Sequence, residues 1–256
     1  MSHVISWESS QLIISYKNWF MRDFIDIKRL FSTYDKCNHS NLYIVIKTVF
    51  LFIILSACAR FLMGICYSLL PSEMTNIVAT KAEALTIKEI KSFSLHAWIS
   101  VIVIGPFMEE VAFRLWLSMK KPHVTIGLAF FLYYIQGFLL ADYVQNRMIA
   151  TITCALLSLF IAVIFFLIVD EDALENIKLK NTFYPILVLF GCIIFSLLHI
   201  TNFNINSTVL FFGLVSCLPQ LMGGISLSYL RINLGFLSCL LFHSFINLVS
   251  CCLTIL

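Results

Sequence analysis

Charge is what this sequence has least of. Asp, Glu, Lys and Arg make up 12% of its 256 residues, against 60% hydrophobic residues and a mean hydropathy of +0.94. A soluble domain of this size carries about twice that charge, so an ordinary soluble fold is excluded. Glycine and proline are also scarce, at nine and five. Neither gathers into a Gly-, Ser- or Pro-rich linker, and no internal repeat is visible, so one folded unit follows a short polar N-terminal region. The net charge of +3 has no basic run behind it, and no nucleic-acid partner is expected.

The missing charge falls in blocks. Segments 92–108, 122–141, 148–169, 181–230 and 232–256 contain no Asp, Glu, Lys or Arg. One helix needs about 20 apolar residues to cross a bilayer, so the long fourth block must hold two helices. It divides at Thr201-Asn202-Phe203-Asn204-Ile205-Asn206-Ser207-Thr208, a polar turn-forming cluster. With 42–70 added, the pattern predicts an all-α, polytopic transmembrane bundle of about seven spans, near 42–70, 94–119, 123–141, 148–169, 184–200, 208–230 and 234–256.

Residues 1–41 differ in kind. Trp7, Leu12, Ile13, Trp19, Phe20, Phe24, Ile27, Leu30 and Phe31 are interleaved with Lys17, Arg22, Lys28, Arg29 and Lys36, as in an interfacial amphipathic helix. A compact apolar core and a small-residue cleavage site are lacking, so this segment is expected to remain on the mature protein as a surface anchor. With seven spans and a cytoplasmic N-terminus, Lys17, Arg22, Lys28, Arg29, Lys36, Lys120, Lys121, Lys178, Lys180 and Arg231 fall inside, against Lys81, Lys88, Lys91 and Arg147 outside. That imbalance favours the N-terminus inside. The nine cysteines form no C-x-x-C pair, and those within apolar spans are expected to act as small hydrophobes.

Ionisable groups within a span are costly, so each is a functional hypothesis unless it can reach the interface. Lys47 and Arg60 are expected to snorkel from the first span, and His96 and His123 sit at span ends. Glu109, Glu110 and Arg114 are harder to explain, because Gly105-Pro106-Phe107-Met108-Glu109-Glu110-Val111-Ala112-Phe113-Arg114-Leu115-Trp116-Leu117 has apolar sequence on both sides. Glu110 and Arg114 stand i,i+4 and can pair, holding a carboxylate ionised in a poor dielectric. Glu109 points about 100° away, and Pro106 fits a first helical turn or a kink. Phe195 and His199 share a face in Phe195-Ser196-Leu197-Leu198-His199, as do His243 and Asn247 in His243-Ser244-Phe245-Ile246-Asn247.

Acids on one helix, a histidine on a second and a His/Asn pair on a third form a set that can converge for hydrolysis. A carboxylate with a histidine can activate water, and a histidine with an asparagine can stabilise an oxyanion. A serine nucleophile has no G-x-S-x-G elbow behind it. The H-E-x-x-H zinc signature is also absent, although two Glu and two His could ligate a metal if they met.

The three segments match, in order, the E-E-x-x-x-R, F-x-x-x-H and H-x-x-x-N motifs of a known family. Over roughly residues 94–250 the chain resembles the CPBP or abortive-infection family of intramembrane proteases, related to the type II CAAX prenyl endopeptidase. Gly223, Gly224, Tyr229, Leu230 and Gly235 resemble the approach to that family's last motif. The resemblance implies an endopeptidase in which Glu109 and His199 activate water and Glu110 and Arg114 hold charge and geometry, while His243 and Asn247 form the oxyanion site. It implies a peptide or membrane-protein substrate in a lipid bilayer, such as a bacterial plasma membrane. A divalent metal such as zinc, if used, would fall to Glu109, His199 and His243. Many members carry F-R-G after the acids, whereas here Leu115 follows Phe113-Arg114. Two other classes fit the same bundle: a non-catalytic immunity or signalling partner, and a proton-coupled transporter titrating at Glu109. The transporter would be expected to show inverted repeats, which are not visible.

Overall fold

A computed structural model of the chain describes residues 40–68, 88–92, 94–140, 147–179, 183–202 and 214–255. Among these the secondary structure is helical, with no strand. This is the form expected where no water is present to bond stray backbone groups. The predicted amphipathic helix of residues 1–41 lies almost wholly outside the described residues.

The first described helix, α1, runs Asn41–Ser68. A rod over Leu95–Ser118 follows, built from α2 (Leu95–Ile99), a π segment (Ser100–Ile104), α3 (Gly105–Arg114) and a 3-10 turn (Leu115–Ser118). Next come α4 (Lys121–Leu140), α5 (Arg147–Ile168), α6 (Glu171–Leu179) and α7 (Phe183–Leu198), the last with a 3-10 turn at His199–Asn202. Helices α8 (Leu218–Leu234) and α9 (Phe236–Ile255) complete the order. They are joined by Gly235, whose φ of +95° suits a residue without a side chain.

Among the described residues four helices are long and apolar enough to cross a bilayer: Asn41–Cys66, Leu95–Ser118, Met148–Ile168 and Phe236–Ile255. A fifth candidate pairs Glu171–Lys178 with Phe183–Leu198 across a 92° bend. Large apolar side chains point outward along these helices, among them Phe61, Leu156, Phe160, Leu167 and Leu253. A contiguous apolar exterior of that extent marks a surface covered by something other than water, and it supports a membrane location. Helix α6 carries Glu171, Asp172 and Glu175 on its exposed side and buries Leu174.

The π segment follows from Pro106. Proline inside a helix removes one N–H and clashes with the carbonyl four residues earlier. Here the turn widens, so that Gly105 N–H reaches the Ser100 carbonyl, and Pro106 falls in the first turn of α3. At the other end Arg114 leaves helical geometry (φ −133°, ψ −15°), and the rod stops at left-handed Met119 (φ +56°).

The end of α3, the start of α7, the end of α8 and the start of α1 meet at one end of the bundle. Tyr184 Oη donates to the Leu117 carbonyl at 2.6 Å, and Ile44, Leu51, Leu117, Met119, Tyr184, Tyr229 and Leu230 bury a shared apolar cluster. Two expectations are corrected here. Lys47 does not snorkel: it is 2% exposed, with its ammonium 5.0 Å from the centre of the Tyr229 ring. Arg231 is not in a connecting loop, because α8 continues to Leu234 and Arg231 turns inward. Its Nε donates to the Arg114 carbonyl at 3.1 Å and its Nη2 to that of Leu115 at 3.2 Å. It thereby supplies the carbonyls that the end of α3 leaves without backbone partners.

Candidate functional site

Helix α3 brings Glu109, Glu110 and Arg114 into the bundle. The i,i+4 pair is formed, with Arg114 Nη1 2.5 Å from Glu110 Oε1, and both side chains are buried, at 1% and 0% exposure. Arg114 is held a second way, with its guanidinium 4.3 Å from the centre of the Phe195 ring on α7. That stacking matters because Arg114 Nε and Nη2 have no hydrogen-bond partner among the described residues, and an aromatic face is the next best counterpart for a desolvated cation. Gly224 on α8 makes room for the stack: a Cβ there would stand 3.3 Å from Phe195 Cδ1 and 3.5 Å from Arg114 Nη2.

Helix α9 presents His243 to both acids. Its Nδ1 lies 2.7 Å from Glu110 Oε1, and its Nε2 lies 3.7 Å from Glu109 Oε2. Arg114 offsets one of the two carboxylates, so an imidazolium at His243 would bring the four groups to formal neutrality. One turn earlier on α9, Cys239 donates its thiol proton to Glu110 Oε2 at 2.7 Å and also lies 3.2 Å from the Leu227 carbonyl. The packing role expected for this cysteine is therefore incomplete. Cys239 and Arg231 belong to the site's framework, and the i,i+4 spacing of Cys239 and His243 was the signal that would have found the first. Glu110 thus has both oxygens engaged. Glu109 is the open acid, with its side chain 24% exposed.

His199 sits where α7 gives way to its 3-10 turn. Its Nδ1 lies 2.8 Å from the Phe195 carbonyl; an Nδ1–H donated there leaves Nε2 with a free lone pair. The Phe195 ring lies 4.8 Å from the His199 ring and 6.5 Å from that of His243. Phe195 therefore touches Arg114 and both histidines. Direct contact within 4 Å is made to Glu109 by His243; none joins Glu109 to His199 among the described residues.

Asn247 is placed differently from the expectation. Its Nδ2 donates to the Val101 carbonyl at 2.9 Å. The π segment explains the bond, since Gly105 N–H is taken by Ser100 and the next nitrogen belongs to Pro106, which has no hydrogen. The amide replaces a backbone donor that the chain itself cannot supply. Among the described residues no three His, Cys, Asp or Glu side chains converge on a point that would hold a metal ion. The conditional ligand set of Glu109, His199 and His243 does not form such a group among the described residues.

The six residues singled out by sequence thus divide into a buried core of Glu110, Arg114 and His243, a partly open acid at Glu109, a histidine reached through Phe195, and an asparagine bonded to the π segment. Comparison of the chain with protein-family models, curated proteins and solved structures finds no match.

Proposed function

We propose that this protein is an intramembrane endopeptidase of the CPBP type, in which Glu109 is the base that deprotonates water. The observation that carries this reading is the position of His243, hydrogen-bonded to buried Glu110 and directed at partly open Glu109. Two carboxylates with such different surroundings suit different tasks. Glu110, bonded to Arg114, His243 and Cys239, keeps its charge as a fixed part of the frame. Glu109 has an unfilled side toward solvent and can take and return a proton. His243 orients Glu109, and His199, with Nε2 free, stands beside Phe195 as a second partner for water or for the leaving amine. General acid–base chemistry of this kind contributes about 10²–10⁴-fold in rate.

The proposal includes a seven-span topology, with α4, α7 and α8 as the further crossings, an N-terminal amphipathic segment on the surface and the N-terminus in the cytoplasm. The substrate is a peptide or a membrane protein within reach of the bilayer. A non-catalytic role for the same bundle has one observation in its favour: the Asn247 amide is committed to Val101, away from any reacting carbonyl.

The two readings separate in cells. Glu109→Gln and His199→Ala variants, matched to wild type for protein in the membrane fraction, are expected to lose complementation of a deletion strain. The double variant should be little worse than either single one, because residues acting as one unit are not additive. Full complementation by well-expressed Glu109→Gln would end the peptidase reading.

A further inference from the structure

The commitment of Asn247 to Val101 leaves a peptidase at this site short of a donor for the oxyanion, and the packing of α4 on α3 supplies a candidate. The two helices approach closely at Gly127, where a Cβ would stand 3.3 Å from both the Val111 carbonyl and Trp116 Cβ. The helices run in opposite directions, so residues beyond Gly127 on α4 climb toward Glu109. Phe131 and Tyr134 follow Gly127 at i+4 and i+7 on the same face. Both rings pack on Phe113, at 5.8 Å and 6.0 Å between centroids, and Phe113 is itself i+4 from Glu109 on the face they share. Tyr134 lies two turns past the crossing, about 10.5 Å along the axis, and a long helical side chain leans back toward its own N-terminus. Tyr134 thus stands on the Glu109 side of the crossing, with its ring against Phe113, the residue one turn from Glu109 on the same face of α3. The hydroxyl has no hydrogen-bond partner among the described residues, and the side chain is only partly buried.

We infer that Tyr134 is a further catalytic residue of this site, whose phenol O–H donates a hydrogen bond to the oxyanion formed when water adds to the scissile carbonyl. The inference rests on the peptidase reading. In the step it assigns, a water oxygen bonds to the carbonyl carbon, the water proton passes to Glu109, and the carbonyl electron pair moves onto the oxygen facing Tyr134. Collapse of the intermediate breaks the C–N bond, and Glu109 returns the proton to the departing amine. Tyr134 keeps its own proton throughout.

The test uses full-length protein in detergent, with fluorescein-labelled casein and a pool of apolar synthetic peptides as probes. Tyr134→Phe is expected to lower kcat by about 10²–10³-fold, the usual effect of removing one oxyanion donor, with KM and the thermal midpoint unchanged. Cleavage by Tyr134→Phe at the wild-type rate overturns the inference and leaves the peptidase reading standing. Absence of any difference between wild type and Glu109→Gln on these probes removes both. A second readout needs no turnover: 3-fluorotyrosine placed at position 134 should show a fluorine resonance that moves in Glu109→Gln and stays in place in Glu175→Gln, whose acid lies on α6. A resonance indifferent to Glu109→Gln overturns the proximity on which the inference depends.

Discussion

Arg114→Ala removes the cation from a site where nothing can replace it. Glu110 is fully buried and Arg114 is 1% exposed, so water cannot enter to solvate the carboxylate left behind. His243 and Cys239 would still bond Glu110, but Phe195 would lose the guanidinium that covers it and a void would open beside Gly224. Breaking a buried pair by removing one partner costs about 3–5 kcal/mol. At about 1.4 kcal/mol per factor of ten, that lowers the folded-to-unfolded ratio by roughly two to three and a half powers of ten. The assay is thermal unfolding in detergent together with the yield of protein from the membrane fraction, and both should fall. Glu110→Leu combined with Arg114→Met removes both charges at similar volume and should recover most of the lost stability, because such replacements are often neutral or better. A wild-type midpoint for Arg114→Ala, or a double variant no more stable than the single one, would refute the buried-pair account.

Three further outcomes follow from individual contacts. Asn247→Ala leaves the Val101 carbonyl without a donor and should cost about 1–3 kcal/mol; a midpoint equal to wild type would mean that the bond to the π segment contributes nothing. Gly224→Ala sets a methyl group 3.3 Å from Phe195 Cδ1, and overpacking of this kind costs about 1–3 kcal/mol. Its effect should vanish in the Arg114→Met, Glu110→Leu background if the clash acts through the Arg114–Phe195 stack. Tyr134→Phe should lower kcat at constant KM, as derived above.

The legibility of this protein in its sequence varied with the range of the interaction. Apolar blocks located the helices over 94–119, 148–169 and 234–256 to within a residue or two of Leu95–Ser118, Met148–Ile168 and Phe236–Ile255, because hydrocarbon length is a strong one-dimensional constraint. The Glu110–Arg114 pair was also legible, being an i,i+4 contact. Lys47 and Arg231 were misread as interface residues. Their burial depends on α1 packing against α8 and on the open carbonyls at the end of α3, neither of which leaves a mark in local composition. Asn247 was read with His243 because the two share a helical face. Its partner, Val101, is 146 residues away and is left without a backbone donor by Pro106, a consequence that needed both helices in place. Cys239 was passed over because a cysteine in an apolar run is usually inert, whereas here it bonds a carboxylate.

The claim that Glu109 deprotonates water is tested most directly by digesting labelled casein and the apolar peptide pool with purified protein in ¹⁸O-labelled water. Wild type should give new C-terminal carboxylates that carry one labelled oxygen, with the rate falling by about 10²–10⁴-fold in a Glu109→Gln variant that unfolds at the wild-type temperature. Labelled products formed at the same rate by Glu109→Gln, or no products from wild type, would contradict the account.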